Sequence, residues 1–188
     1  MPLEPNSQGA PLEGSPRANG GEQPQAAVAI IRTAGDDPNY LVLRRALNPV
    51  DPWSGHFALP GGRREQGDRD ILETCIRETL EETGLQLVPG QLISTLPWAR
   101  AGGTEHATLV APFLFEIEVA PELTLDQGEI AESHWLPLTY LSNPANHDVA
   151  VMSARHPELR FPCIKVGNGA IWGFTYGVLK ALLGPFDR

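Results

Sequence analysis

Leu59–Leu85 reads LPGGRREQGDRDILETCIRETLEETGL. Its pattern predicts a Gly-Gly turn at Gly61-Gly62 leading into a helix from about Asp68 to Thr83, with Gly84 as the C-terminal stop. Asp68 or Asp70 can cap that helix, and Asp70 with Glu73 fits a capping box. Leu72, Ile76 and Leu80, with Thr79 and Thr83, fall on one side and are expected to face a core. Glu78, Glu81 and Glu82 point the other way, at i, i+3 and i+4. Like charges at that spacing repel, so a stable fold compensates them, most simply with a hard divalent cation that prefers carboxylate oxygen. Arg77 lies four residues before Glu81 and can fix that carboxylate in one rotamer. The two glycines let backbone approach the helix, and a bare carbonyl there can also reach a cation. Magnesium keeps several waters and binds through few carboxylates plus substrate phosphates. The expectation is therefore metal-assisted attack of water on a phosphate ester or anhydride. The competing reading is an acidic helix face that serves only solubility.

Working outward, residues 1–25 are rich in Pro, Gly, Ser, Asn and Gln and have little to bury, which predicts a disordered tail. The folded domain is expected over residues 26–188. AAVAIIRT from Ala26 and YLVLRR from Tyr40 read as strands paired or adjacent across the turn at Gly35–Pro38. Asn48–Ser54 reads as a loop, and HFAL as a brief strand. Leu92–Leu96, Thr108–Val119 and Ser133–Leu136 read as further strands, Leu138–Leu141 as a helical turn, and Ile171–Leu183 as a closing helix. Strands and helices mix without a regular βαβ rhythm, which indicates an α+β fold with a mixed sheet.

Composition bounds the function. A chain of 188 residues, 41% hydrophobic, suffices for one core. The formal net charge of −9, without a basic patch, argues against a nucleic-acid partner. An acidic protein still handles anionic substrates where metal ions supply positive charge. Cys75 and Cys163 offer neither a disulfide framework nor zinc spacing, and free thiols in a reducing compartment are expected. No apolar run spans a bilayer, and no secretory signal is read at the N-terminus, so no membrane partner and a cytoplasmic location are expected.

The helix motif resembles the Nudix box, G-x5-E-x7-R-E-U-x-E-E-x-G-U, where U is aliphatic. Counted from Gly62, Asp68 stands at the first Glu, eight residues rather than seven precede Arg77, and Thr79 replaces an aliphatic residue; Arg77, Glu78, Glu81, Glu82, Gly84 and Leu85 match. The resemblance implies an α/β/α sandwich, the Nudix fold, with a mixed sheet between helices. It implies cleavage of a nucleoside diphosphate linked to another moiety. It also implies that Glu78, Glu81 and Glu82, with the Gly61 carbonyl, bind Mg²⁺ or Mn²⁺, and that the protein forms a homodimer.

The departures from the box look like the coenzyme A diphosphatase branch, whose upstream signature is LLTxR[SA]…G-x3-F-P-G-G. Here the corresponding segments are Leu41–Ala46 (LVLRRA) and Gly55–Gly62 (GHFALPGG), with Leu59 in place of Phe and no counterpart to the signature's second arginine. Ala170–Tyr176, AIWGFTY, is similar to that branch's Ile-Trp-Gly-x-Thr segment. The implied reaction splits coenzyme A into 3′,5′-ADP and 4′-phosphopantetheine. The alternatives are ADP-ribose, another nucleoside diphosphate derivative or a dinucleotide, and, in another class, a non-catalytic ligand-binding module. Arg44, Arg45, Arg63 and Arg64 flank the box and suit phosphate oxygens, where a planar fork binds well. His56 is a candidate substrate contact, and Trp53 a candidate lining for adenine or pantetheine. Catalysis is assigned to Glu81, Glu82, Arg77 and Glu129, with Glu129 resembling the extra-box glutamate of several relatives. Glu105 is a second candidate base. The other histidines are read as structural or exposed, Trp98 and Trp135 as packing, and Cys75 as no nucleophile.

Overall fold

A computed structural model describes residues 22–51, 53–102, 107–152 and 158–184. Residues 1–21 of the expected tail, and Glu105, lie outside the described residues. Residues 22–25 belong to the folded body: Gln25 donates its N–H to the Leu109 carbonyl at 2.9 Å, and Glu22 pairs with Arg100.

The fold is built on β1 (Ala26–Thr33), whose residues are almost all buried. It runs parallel to β7 (Thr108–Ile117) in register from Ala26↔Val110 to Thr33↔Ile117. Parallel neighbours need a long crossover, and this one carries α1 (Ile71–Thr83). The other pairings are antiparallel. β2 (Asn39–Arg45) joins β1, while β3 (Phe57–Ala58) and β8 (Ile130–Pro137) join β2. β4 (Gly61–Arg63) pairs with β1, and β5 (Leu92–Thr95) and β6 (Ala99–Ala101) pair with β7. The expected mixed sheet is observed.

Successive strand side chains face opposite ways. Ala27, Ala29 and Ile31 pack with Leu41, Leu43, Phe113, Phe115 and Cys75 on the α1 side. Ile30, Val42 and Leu114 pack on the other side with Tyr176, Val178 and Leu179 of α3 (Gly173–Leu183). The sheet thus lies between helices, as the α/β/α sandwich requires.

Four expectations change. The helix begins at Ile71, because Asp70 is the N-cap and accepts the Glu73 N–H at 2.9 Å. Glu73 does not return the capping bond; its carboxylate takes the Arg69 N–H instead. Leu80 is 40% exposed, and the core face of α1 is Thr74, Cys75, Thr79 and Thr83, with Leu72 and Ile76 partly buried. Threonine can occupy that face because its hydroxyl is satisfied within the helix: Thr79 donates to the Cys75 carbonyl and Thr83 to the Thr79 carbonyl. The closing helix starts at Gly173, since Ala170–Trp172 belong to β11 (Gly169–Trp172). β11 pairs with β10 (Phe161–Val166), which pairs with β9 (His147–Ala150), in a second sheet that the sequence reading did not anticipate. The turn at Leu138 is α2 (Leu138–Ser142).

Candidate active site

α1 presents Arg77, Glu78 and Glu81 to one side of the sandwich, and buries Glu82 against β4. Glu82 is only 4% exposed, and one carboxylate oxygen accepts the Gly61 N–H at 2.9 Å. Burial, reinforced by Glu78, pushes its pKa up to about 8 against the opposing Gly61 bond. Gly61 approaches β1 so closely that a Cβ there would stand 2.2 Å from the Ala27 carbonyl oxygen, and its φ is +142°. The contact from Gly61 to the carboxylates is through its N–H. Gly62 makes room for Glu78, because a Cβ at this position would meet that carboxylate at 2.4 Å. Burial raises the Glu78 pKa, while Arg77 opposes the shift.

Arg77 organises the cluster. Its Nη1 lies 2.8 Å from Glu81, confirming the expected i,i+4 pair, and its Nη2 lies 3.0 Å from Glu78. Nη2 also donates to the Arg63 carbonyl at 3.1 Å. Asp68 does not cap the helix. It is buried under Arg77, accepts the Glu65 N–H and the Thr74 hydroxyl, and is held far below the ordinary carboxylate range chiefly by the Arg77 guanidinium.

The segment before β8 closes the other side. Thr124 and Asp126 donate their N–H groups to the Thr83 and Glu82 carbonyls, at 2.9 and 3.1 Å, satisfying groups that a helix C-terminus leaves open. This docks Glu129 opposite α1. Glu78, Glu81, Glu82, Asp126 and Glu129 line one cavity of about 190 Å³. Asp126 was missed from sequence. Its only signal was the Asp-Gln-Gly turn before Glu129, since nothing local places that turn against a helix more than forty residues earlier.

The donor set is hard oxygen throughout, which suits Mg²⁺ or Mn²⁺. Among the described residues no three His, Cys, Asp or Glu donors are gathered closely enough to hold an ion as they stand. The reason is visible: Arg77 holds Glu78 and Glu81, and the Gly61 N–H holds Glu82. A cation that takes few carboxylates and keeps its waters fits this cavity.

Three of the four flanking arginines are already engaged. Arg44 reaches the Gly55 carbonyl, Glu132 and, at 2.8 Å, Asn168 in the β10–β11 turn, and lies over the Phe57 ring. Arg45 pairs with Asp51 at 2.8 Å, and its charge acts on Glu82. Arg64 donates to the Asp68 and Arg69 carbonyls. Arg63 is exposed, and among the described residues nothing engages its guanidinium. His56 is half-buried edge-on to Trp172, with ring centroids 5.0 Å apart, and burial lowers its pKa. Cys75 and Cys163 are free and buried, and burial pushes the Cys75 thiol far up, which suits packing rather than nucleophilic attack. No helix among the described residues is long and apolar enough to cross a membrane.

The chain is similar to several known proteins. An uncharacterized Nudix hydrolase, NudL, of Pectobacterium atrosepticum is 30% identical over 161 residues, covering 86% of this chain and 82% of the relative. The mitochondrial coenzyme A diphosphatase NUDT8 of Mus musculus is 26% identical over 149 residues, covering 78% of this chain and 70% of that one. An uncharacterized Schizosaccharomyces pombe protein is 34% identical over 57% of this chain, but the match spans only 34% of its length. Among solved structures, a MutT/nudix family protein from Enterococcus faecalis superposes with a TM-score of 0.57 at 17% identity, over 85% of this chain and 61% of that one. The NUDIX domain family matches residues 23–155. With its box carboxylates gathered at one cavity and its sheet between helices, the chain belongs to the NUDIX domain family of hydrolases.

Proposed function

We propose that this chain hydrolyses the diphosphate of a nucleoside diphosphate linked to another moiety, with coenzyme A the favoured substrate and 3′,5′-ADP and 4′-phosphopantetheine the products. The observation that carries the reading is the single cavity shared by Glu78, Glu81, Glu82, Asp126 and Glu129. The likeness to the coenzyme A diphosphatase branch and to the mouse relative supports the substrate.

Nudix hydrolases generally use divalent metal ions. Glu78, Glu81 and Glu82, with the Gly61 carbonyl, would hold Mg²⁺ or Mn²⁺. Bound there, the cation supplies Lewis-acid polarisation of phosphoryl oxygen and a lowered pKa for its water. Arg77 keeps Glu78 and Glu81 in defined rotamers beside the cavity. Glu129, across the cavity from α1, takes the proton of the attacking water as general base. Arg63 and Arg45 meet phosphate oxygens at the rim, Arg45 after exchanging part of its bond to Asp51. Arg44 and Arg64 act by holding the walls, and His56 by packing on Trp172.

A second reading, ADP-ribose or a dinucleotide, is favoured by the pairing of Arg44 and Arg45 with Glu132 and Asp51, which weakens recognition of an extra phosphate. Incubation with Mg²⁺ or Mn²⁺ and, separately, coenzyme A, dephospho-coenzyme A, ADP-ribose and a dinucleotide, followed by chromatography, tests both. Release of 3′,5′-ADP at the best rate supports coenzyme A. Turnover of ADP-ribose without cleavage of coenzyme A moves the assignment to the second reading, and no turnover of any removes the activity.

A further inference from the structure

Residues 123–129 carry Glu129 to the cavity, and a chain of backbone hydrogen bonds runs through them from α1 to the end of β2. The Glu82 carbonyl accepts the Asp126 N–H at 3.1 Å. The Asp126 carbonyl accepts the N–H groups of Glu129 at 3.0 Å and of Ile130 at 2.8 Å. The Glu129 carbonyl accepts the N–H of Ala46, just after β2, at 2.7 Å. Asp126 is thus the middle link between Glu82 and Glu129, two residues that line the cavity, and it lines the cavity itself.

The Asp126 side chain closes this link. Its Oδ1 accepts the Gly128 N–H at 2.8 Å, an Asx turn that folds the chain back towards Glu129. Glycine at 128 permits the close approach, because a Cβ there would stand 3.1 Å from that same oxygen. Asp126 and Glu129 are both exposed, so burial does not hold the turn and its hydrogen bond must. The flanks are firmer. Leu123 and Leu125 pack against the core on the α1 side, the Thr83 carbonyl accepts the Thr124 N–H at 2.9 Å, and Ile130 is 1% exposed at the start of β8. Between those anchors the turn is the soft element that sets where Glu129 stands.

We infer that Asp126 is a positioning residue for the proposed hydrolysis: its carboxylate closes the turn that holds Glu129, the proposed general base, at a set distance from Glu78, Glu81 and Glu82. The assignment rests on that hydrolysis and adds the residue that aligns its base. Oδ1 acts as a hydrogen-bond acceptor, a role that does not require the negative charge, and asparagine offers the same acceptor. A misplaced base costs rate more than substrate affinity, since a displacement of about 1 Å can slow a step about 100-fold.

Steady-state kinetics of the full chain with Mg²⁺ and either coenzyme A or ADP-ribose, on wild type, Asp126→Ala and Asp126→Asn, tests the role. Asp126→Ala should lower kcat about tenfold or more with KM within about twofold, and Asp126→Asn should recover most of that loss. Both substitutions remove a charge from the cavity, so a ligand or electrostatic role predicts equal losses instead. Mn²⁺ titration followed by electron paramagnetic resonance reads the metal directly, and both variants should bind within about threefold of wild type. A larger, equal loss of Mn²⁺ affinity in both would make Asp126 a ligand and overturn the positioning role, as would an unchanged kcat in Asp126→Ala. If wild type cleaves neither compound, the hydrolytic reading fails, and amide hydrogen exchange still decides the link. Faster exchange at Glu129 and Ala46 in Asp126→Ala, with protection kept in Asp126→Asn, upholds it, whereas equal protection in all three proteins overturns it.

Discussion

Arg77 lies side-on to Asp68, with Nε 2.9 Å from Oδ1 and Nη2 3.1 Å from Oδ2, nine residues apart across the turn into α1. The same guanidinium reaches Glu78 and Glu81, so a residue outside the acidic cavity holds the geometry of two that line it. Asp68→Ala leaves Arg77 short of two bonds and the Thr74 hydroxyl short of one. It should lower stability by about 1–3 kcal/mol and reduce kcat through displaced carboxylates. Thermal unfolding and single-turnover rates read the two effects separately. Unchanged kcat at temperatures where the variant is folded would count against a positioning role.

Glu81→Gln and Glu82→Gln keep size and hydrogen-bonding shape while removing charge. Each is expected to cut kcat about 100-fold or more, with the fold intact by circular dichroism. Near-normal turnover in both would remove these residues from the metal site.

Glu82 makes metal-free stability depend on pH. Its folded pKa, about 8, is raised above the unfolded value of 4.5. Between those values the unfolded chain has lost a proton that the folded chain keeps. The contribution is therefore fully present below pH 4.5 and is lost as pH rises through about 8. Metal-free Tm should fall across that window. Glu82→Gln should flatten this component, and saturating Mg²⁺ should oppose it by favouring the ionised carboxylate. A Tm component unchanged by the substitution would show that Glu82 titrates normally.

Two adjacent glycines should respond differently to alanine. At Gly61 a Cβ meets rigid backbone at 2.2 Å in a conformation with φ +142°. The conformational strain alone costs about 1–3 kcal/mol, so Gly61→Ala should unfold at lower temperature. At Gly62 the nearest atoms to the Cβ belong to the Glu78 carboxylate, the end of a flexible side chain. Gly62→Ala should retain most of its stability and lose turnover. Equal Tm losses in the two variants would contradict the cradle described for Glu78.

What the sequence determined by itself is what local spacing can encode. The i, i+3, i+4 carboxylates, the Arg77–Glu81 pair, a cap at Asp68 or Asp70 and the stop at Gly84 all act within a few residues, and the longer strands β1, β2 and β7 show as apolar, β-prone runs, whereas β4 and β6 carry no such signal. Tertiary structure decided the rest, because the partners are distant in the chain. Glu82 has the same charge and helix position class as Glu81, yet only the approach of Gly61, twenty-one residues earlier, buries it. Asp126 enters the cavity because its N–H satisfies a free carbonyl at the end of α1. Leu80 faces solvent because threonines that bond back to their own helix occupy the core side. Arg44 looks like a phosphate ligand until Asn168, 124 residues away, takes its guanidinium. Charge and hydrogen-bonding capacity are written in the sequence; which groups are left to act on a substrate is decided only when folding assigns every partner.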